Sequence, residues 1–413
     1  MLAARRRCFG PTLAPGWQCN SAAMYNRLPM PIKTVLTLLL LGGLFLLSGG
    51  SRPADILFAK HTLDLGANES AAVMDVNGDG RLDIVSGEIW MEQPKTQGGK
   101  WTRHHFRDLN YENGYIDNFS DLPLDVNGDG KMDIIGCAWF GKKLAWWENP
   151  GKLDAPWKEH LIDNSSPNEF CFLVDMDNDG KARELITQYG NAKVPAAWWE
   201  VKNGEFVKHE ISDKSYGHGI GVGDVNGDGR NDVLTSQGWL EAPADPRQGN
   251  WKLHPDWKIE KHLGFLHVAD LNGDGLNDVI STNAHDYGVF WLEHMKDGTF
   301  KQNKIDDVWS QAHAMTMVDL NGDGQLDFVT GKRLWAHETE PGAREPVGVF
   351  WYEYRKSADG KKLDWTRHII DYGGRTGGGM QIPVVDIDGD GDLDIICPGK
   401  GGLFLFENLT KKK

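Results

Sequence analysis

Cysteine, basic charge and long apolar runs are all scarce in this chain of 413 residues. Lysine and arginine total 44 against 59 aspartate and glutamate, a formal charge of -15. That balance excludes an ordinary nucleic-acid surface, which needs a basic excess to meet phosphate. The apolar run Val35 to Leu47 is too short for a comfortable membrane crossing, so no integral membrane domain is expected beyond a signal or anchor. Of the five cysteines, Cys8 and Cys19 fall in the amino-terminal segment. Cys137, Cys171 and Cys397 remain, an odd number without metal-type spacing. They read as buried small hydrophobes, with a disulfide pair the lesser alternative. Nucleophile signatures, phosphate loops and dinucleotide fingerprints are also missing.

What is abundant is glycine, at 50, and tryptophan, at 17. Together with 40% hydrophobic and 25% charged residues, they exclude wholesale disorder and point to a turn-rich, all-β protein with a real core.

Residues 1–54 carry Arg5, Arg6, Arg7, Arg27, Lys33 and Arg52 and no acid. The run Val35 to Leu47 follows Lys33 and ends in Ser48-Gly49-Gly50, the layout of a secretory signal. A secreted, periplasmic or extracellular protein is expected, with a membrane anchor as the second reading. Because the arginine-rich stretch fits a signal poorly, the true start is placed at Met24 or Met30.

Self-similarity decides the architecture. One motif recurs seven times: DVNGDGRLD at Asp75, DVNGDGKMD at Asp125, DMDNDGKARE at Asp175, DVNGDGRND at Asp224, DLNGDGLND at Asp270, DLNGDGQLD at Asp319 and DIDGDGDLD at Asp386. A spacing near 50 residues is that of one four-stranded blade. Apolar runs flank each loop (AAVMDV, LDIVSG), a third ends in an aromatic-acidic pair (LAWWEN, GVFWYEY), and a fourth carries a histidine (WTRHHF, WKEHLI). These read as strands A to D. The last unit ends after its third run, and the missing strand stands at the other end as LFAKHTL, residues 57–63. The expectation is therefore all-β: a seven-bladed β-propeller over residues 55–413, with ring closure by the N-terminal strand, which leaves no sheet edge at the seam.

Each loop alternates Asp, Asn or Asp, and Asp, then places glycine at position 6 and an acid at position 9, which gathers hard oxygen donors around one point. An EF-hand would need Glu at position 12, where Ser86, Gly136 and Thr235 stand, and a helix would have to follow. Tight turns without metal are the bland alternative for any single loop. The loops and their period resemble the FG-GAP/VCBS repeats of integrin α-subunit propellers and of many secreted bacterial proteins. That resemblance implies structural Ca²⁺, up to seven ions, on Asp75, Asn77, Asp79 and Asp83 in the first repeat. The equivalents are Asp125, Asn127, Asp129 and Asp133; Asp175, Asp177, Asp179 and Glu184; Asp224, Asn226, Asp228 and Asp232. Asp270, Asn272, Asp274 and Asp278 follow, then Asp319, Asn321, Asp323 and Asp327, and finally Asp386, Asp388, Asp390 and Asp394. The third loop departs, since an extra residue puts Glu184 where Asp is expected. So many ions would offset much of the acidic excess, which then says little about partners.

At the opposite, axial mouth, strand A opens six residues before the loop with Glu69, Phe119, Glu169, His218, His313 and Met380, while His267 enters three residues before Asp270. The B-C loops add Trp90, Trp139, Tyr189, Trp239 and Trp335, with His285 in place of tryptophan in the fifth unit. His337, Lys332, Arg333, Arg375 and Lys400 complete the set. Tryptophans in such folds serve as packing wedges more often than as ligand platforms. The strand-D histidines His61, His104, His160, His209 and His368 recur with the repeat and read as structural; the other histidines do not.

Aromatic faces stack on sugar rings while His, Glu and Arg bind hydroxyls or a carboxylate, so carbohydrate or glycan is the expected partner of a monomer. The stretches GKRLWAHE and AHDYGVFWLEH also resemble the propeller domain of aldos-2-ulose dehydratase. That likeness implies removal of water from a keto-sugar, with His218 or His313 as base and Glu69 or Glu169 helping to hold a further divalent metal at the mouth. A non-catalytic adhesion or glycan-binding propeller is the competing reading.

Overall fold

The computed structural model describes residues 55–202, 204–357 and 362–411. The segment read as a signal, residues 1–54, lies outside them. Among the described residues there is no helix, and so none long and apolar enough to cross a membrane.

Each acidic loop joins two short antiparallel strands, and the next two runs extend the meander to four. The sheet Ala72–Met74, Asp83–Ser86, Ile89–Glu92 and Thr102–His105 sets the pattern. The same order recurs in Ser120–Leu124 to Lys158–Asp163, Asn168–Val174 to Glu205–Glu210, and Ala312–Val318 to Leu363–Tyr372. A further sheet contains Val384–Val385, Asp394–Gly399 and Gly402–Asn408, and Phe58–Asp64 from the start of the chain pairs antiparallel with its last strand. The arrangement is propeller-like, but the sequence expectation of seven separate blades is corrected: five four-stranded blades are distinct. The fourth and fifth repeats instead share one eight-stranded sheet, because Ile220 and Gly221 pair in parallel with Phe265 and Leu266. Gly221 permits this, since a Cβ there would stand 2.2 Å from the Leu266 carbonyl oxygen.

Second strands such as Asp133–Ala138 and Asp278–Asn283 are buried at every position, whereas outer strands such as Lys158–Asp163 are largely open. Burial on both faces is what a sheet stacked between two others requires. Leu122, Phe170, Trp198 and Val233, from successive sheets, accordingly join one cluster. Burial of each such side chain contributes about 1.5–3 kcal/mol.

The recurrent strand-D histidines have a structural task. His104, His160, His254 and His368 each stack on the tryptophan directly across the ladder, Trp90, Trp146, Trp239 and Trp351, with ring centroids 4.0–4.1 Å apart. Each also reaches the acid two residues beyond that tryptophan, as His160 does with Glu148 at 2.8 Å. His209 does the same with Trp198 and Glu200, and His61 meets Glu407. Trp90 and Trp239 were expected at the mouth; they are buried in these braces instead. Tyr189 is likewise buried, and Trp139 is half-buried against Gly190. Cys137, Cys171 and Cys397 are free and buried, as small hydrophobes are.

Candidate functional site

The acidic loops are held by their own backbone. In the first, Asp75 accepts from the amides of Gly78, Asp79 and Gly80, and Asp79 accepts from Arg81. Asp83 is buried and braces the loop to the sheet by accepting from Val76 and Gln93. Glu184 accepts from Met176 as Asp83 does from Val76, so the extra residue of the third loop is absorbed by the longer side chain. Burial, with the neighbouring loop acids adding to it, pushes Asp83 up to about 6 and Asp327 up to about 8. Carboxylate oxygens of Asp175, Asp177 and Asp179 lie within 4.8 Å of one another, as do those of Asp386, Asp388 and Asp394. Hard oxygens gathered this closely suit a divalent cation such as Ca²⁺.

A second set of groups meets in a buried centre. Glu169 and His313 sit near the starts of strands Asn168–Val174 and Ala312–Val318, each within a register shift that re-aims side chains. Gln311, just before, adopts φ 62, an uncommon conformation for a non-glycine residue that here accompanies a polar site. Arg333 leaves the end of strand Asp327–Lys332 and is 1% exposed. Its Nε donates to Glu69 Oε2 at 3.0 Å and its Nη1 to Glu169 Oε1 at 3.2 Å. Both Phe119 and Tyr115 lie against the guanidinium.

Glu169 faces the histidines. His218 Nε2 is 2.9 Å from its Oε2, at an angle that makes no hydrogen bond, and His313 Nε2 is 3.8 Å from its Oε1. The other nitrogen of each ring is committed: His218 Nδ1 donates to Leu263 O at 2.6 Å and His313 Nδ1 to Gln311 O at 3.3 Å. His285 Nδ1 lies 2.6 Å from His262 Nδ1, one ring donating to the other, and its ring centroid is 3.7 Å from that of His337. The Nε2 atoms of His218, His285, His313 and His337 are all buried without a hydrogen-bond partner. Burial opposes the charge on Glu169, yet His218 and Arg333 together hold its carboxyl well below the usual range. Burial pulls His313 down strongly, with Arg333 adding to it, and takes His337 to about 4, so both rings are neutral at neutral pH.

Beside this centre lies a cavity of about 320 Å³ lined by Tyr115, Trp335, His337, Glu338 and Lys400 among others. Trp335 is 60% exposed and takes a left-handed backbone, φ 44. Lys400 Nζ donates to Trp335 O and lies 3.2 Å from the Tyr115 ring centroid. Burial pushes its ammonium down to about 8.

The structure thus brings together Glu69, Glu169, His218, His285, His313, His337 and Arg333, with Trp335 and Lys400 at the rim. His267 is a correction: it packs between strands, bonded to Met315 O at 3.0 Å, and burial takes it to about 4. Arg375 stays on the surface, tied to Gly401 O, and does not join the cluster. Two participants escaped the sequence reading. His262 and Tyr115 occupy no repeated offset, and only the folded chain places them here.

FG-GAP-like repeats match residues 125–186, 175–235 and 270–330. No curated protein matches. Among solved structures, BBS1N from its complex with ARL6DN is similar at 10% identity and TM-score 0.53, over 87% of this chain and 98% of that one. An Agrocybe aegerita lectin that recognises non-reducing terminal N-acetylglucosamine is 19% identical, TM-score 0.45, over 74% and 81% of the two chains. The Vibrio cholerae biofilm matrix protein Bap1 is 11% identical, TM-score 0.38, over 86% and 92%. Residues 125–235 and 270–330 thus carry FG-GAP-like repeats, set in a propeller-like arrangement of four-stranded meanders.

Proposed function

We infer that this protein is a secreted, calcium-stabilised propeller that takes carbohydrate at the cavity beside its histidine centre and acts there as a carbon-oxygen lyase. In this reading the eight-stranded sheet counts as two blades, and Phe58–Asp64, paired with Gly402–Asn408, would fasten the ring. Calcium belongs in the acidic loops as a structural ion.

The observation that carries the reading is the meeting of cavity and cluster at His337, which lines the one and touches the other. A sugar ring stacks on the open face of Trp335 while Lys400 and Glu338 bind its polar groups. His337 Nε2, buried and unpartnered, takes the proton next to the keto carbonyl. The electron pair moves into a carbon-carbon double bond as the β-hydroxyl departs as water, protonated by the proton that His337 has just taken. Arg333, whose Nη2 has no partner, supports the developing enolate charge.

The test is a screen of keto-sugars and polysaccharides for unsaturated product by ultraviolet absorbance. Loss of the general base in His337→Ala should slow turnover about 10²–10⁴-fold, and His313→Ala, behind it, serves as the second variant. Sugar that binds without product, quenching Trp335 fluorescence, would instead establish the competing reading, a non-catalytic glycan-binding or adhesion propeller. Unchanged turnover in His337→Ala removes the base assignment.

A further inference from the structure

We propose that Glu169, His218, His285 and His313 hold one divalent first-row transition-metal ion in the buried centre, a site separate in place and chemistry from the acidic loops. One donor atom from each lies within 4.8 Å of the other three. Bonds of about 2.0–2.2 Å to a single tetrahedral ion place donors some 3.3–3.6 Å apart, so modest side-chain rotations close the sphere.

Proton positions make the stronger argument. The carbonyls of Leu263 and Gln311 each take the Nδ1 proton of a histidine, which in the neutral rings leaves the lone pairs on His218 Nε2 and His313 Nε2. Both lone pairs face the same carboxylate, the nearer from 2.9 Å. Two bare acceptors at that distance repel, so a cation stands between them, either a proton on His218 Nε2 or a metal ion, and the second also engages His285 and His313. A backbone carbonyl that fixes the tautomer of a ring whose other nitrogen points inward is also the usual outer support of a metal-bound histidine. The carboxylate itself is steadied from behind by Arg333 at 3.2 Å, and Arg333 by Glu69.

Donor chemistry sets the class of ion. Three imidazoles and one carboxylate suit zinc, manganese or ferrous iron, whereas the all-oxygen loops suit calcium. His337, which lines the cavity and packs against His285, stands beside this centre. The inference does not rest on the carbohydrate reading: an inert protein that binds glycan, or none, would still carry this site.

The experiment uses the full chain saturated with Ca²⁺, so that the acidic loops are filled, and stripped of transition metals by a nitrogen-donor chelator. Titration with Co²⁺ followed by visible absorption should give ligand-field bands that saturate at one equivalent, and Zn²⁺ should abolish them. Glu169→Gln and His218→Ala should each weaken Zn²⁺ binding by at least about 10- to 100-fold, the loss typical of even an outer support. Trp335→Ala should leave the bands unchanged. An absence of bands in the wild-type protein, or equal Zn²⁺ affinity in a Glu169→Gln variant that melts like wild type, overturns the proposal. If His218→Ala fails to fold, the wild-type spectrum still decides, because imidazole and all-oxygen coordination absorb differently.

Discussion

Arg333 donates from Nε to Glu69 Oε2 at 3.0 Å across 264 residues of chain, and both side chains are buried. The bond ties the first repeat to the sixth. Because Glu169 takes a second donor of the same guanidinium, the ion triad is a joint between three distant parts of the sequence. Arg333→Met should therefore cost about 3–5 kcal/mol in urea unfolding, since it strands two buried carboxylates. A Glu69→Gln/Arg333→Met double variant should recover part of that loss. Equal stability of Arg333→Met and wild type would show that the carboxylates find other partners.

Histidine–tryptophan braces repeat around the sheets and should bear on stability alone. Trp146→Ala opens the packing against His160 and should cost about 3–5 kcal/mol, with Zn²⁺ affinity unchanged in the folded fraction. A metal-binding defect in that variant would tie the braces to the buried centre.

Calcium should raise the melting temperature in calorimetry, with about 2.7 kcal/mol of stabilisation at a hundredfold excess over the dissociation constant of one loop. Asp129→Ala, an exposed loop position whose backbone contacts are few, should reduce the effect by one loop's share. A transition unmoved by chelator contradicts structural calcium.

Lys332 supplies a pH dependence. Burial pushes its ammonium down to about 8 from the ordinary 10.5. The unfolded chain thus binds more protons between those values, and stability contributed by this group rises as pH climbs from 8 to 10.5. Below pH 8 the buried charge is at its full cost. Denaturant midpoints measured across that window should lose this slope in Lys332→Met, and a slope that persists assigns it elsewhere.

Trp335→Ala should leave the fold within about 0.5 kcal/mol of wild type, as an exposed side chain does, while it weakens glycan binding. Unaltered affinity would move the sugar to another surface.

Repetition made most of the fold legible. Seven copies of one acidic turn, each between apolar runs, dictate strands and meanders because local turn chemistry and period-two burial need no distant partner. The histidines of strand D could be set aside as structural for the same reason: they recur, and all but His61 stack on a tryptophan across the ladder. Strand-A entrances with Glu69, Glu169, His218 and His313 were legible as deviations from the repeat. Other decisions lay with the tertiary structure. Trp90, Tyr189 and Trp239 stand in the same part of the repeat as Trp335, shortly after the last acid of the loop, yet packing between sheets buries the first three and leaves the last open. The fusion of two repeats into one eight-stranded sheet depends on glycines meeting a neighbouring backbone. His262 and Tyr115 enter the centre from unrelated loops, and His267 turns away from it. The sequence by itself determined the repeating units and their acidic turns, since these are local. Only the folded chain decided which exceptional residues share one buried centre, because convergence across hundreds of residues is set by how the sheets pack.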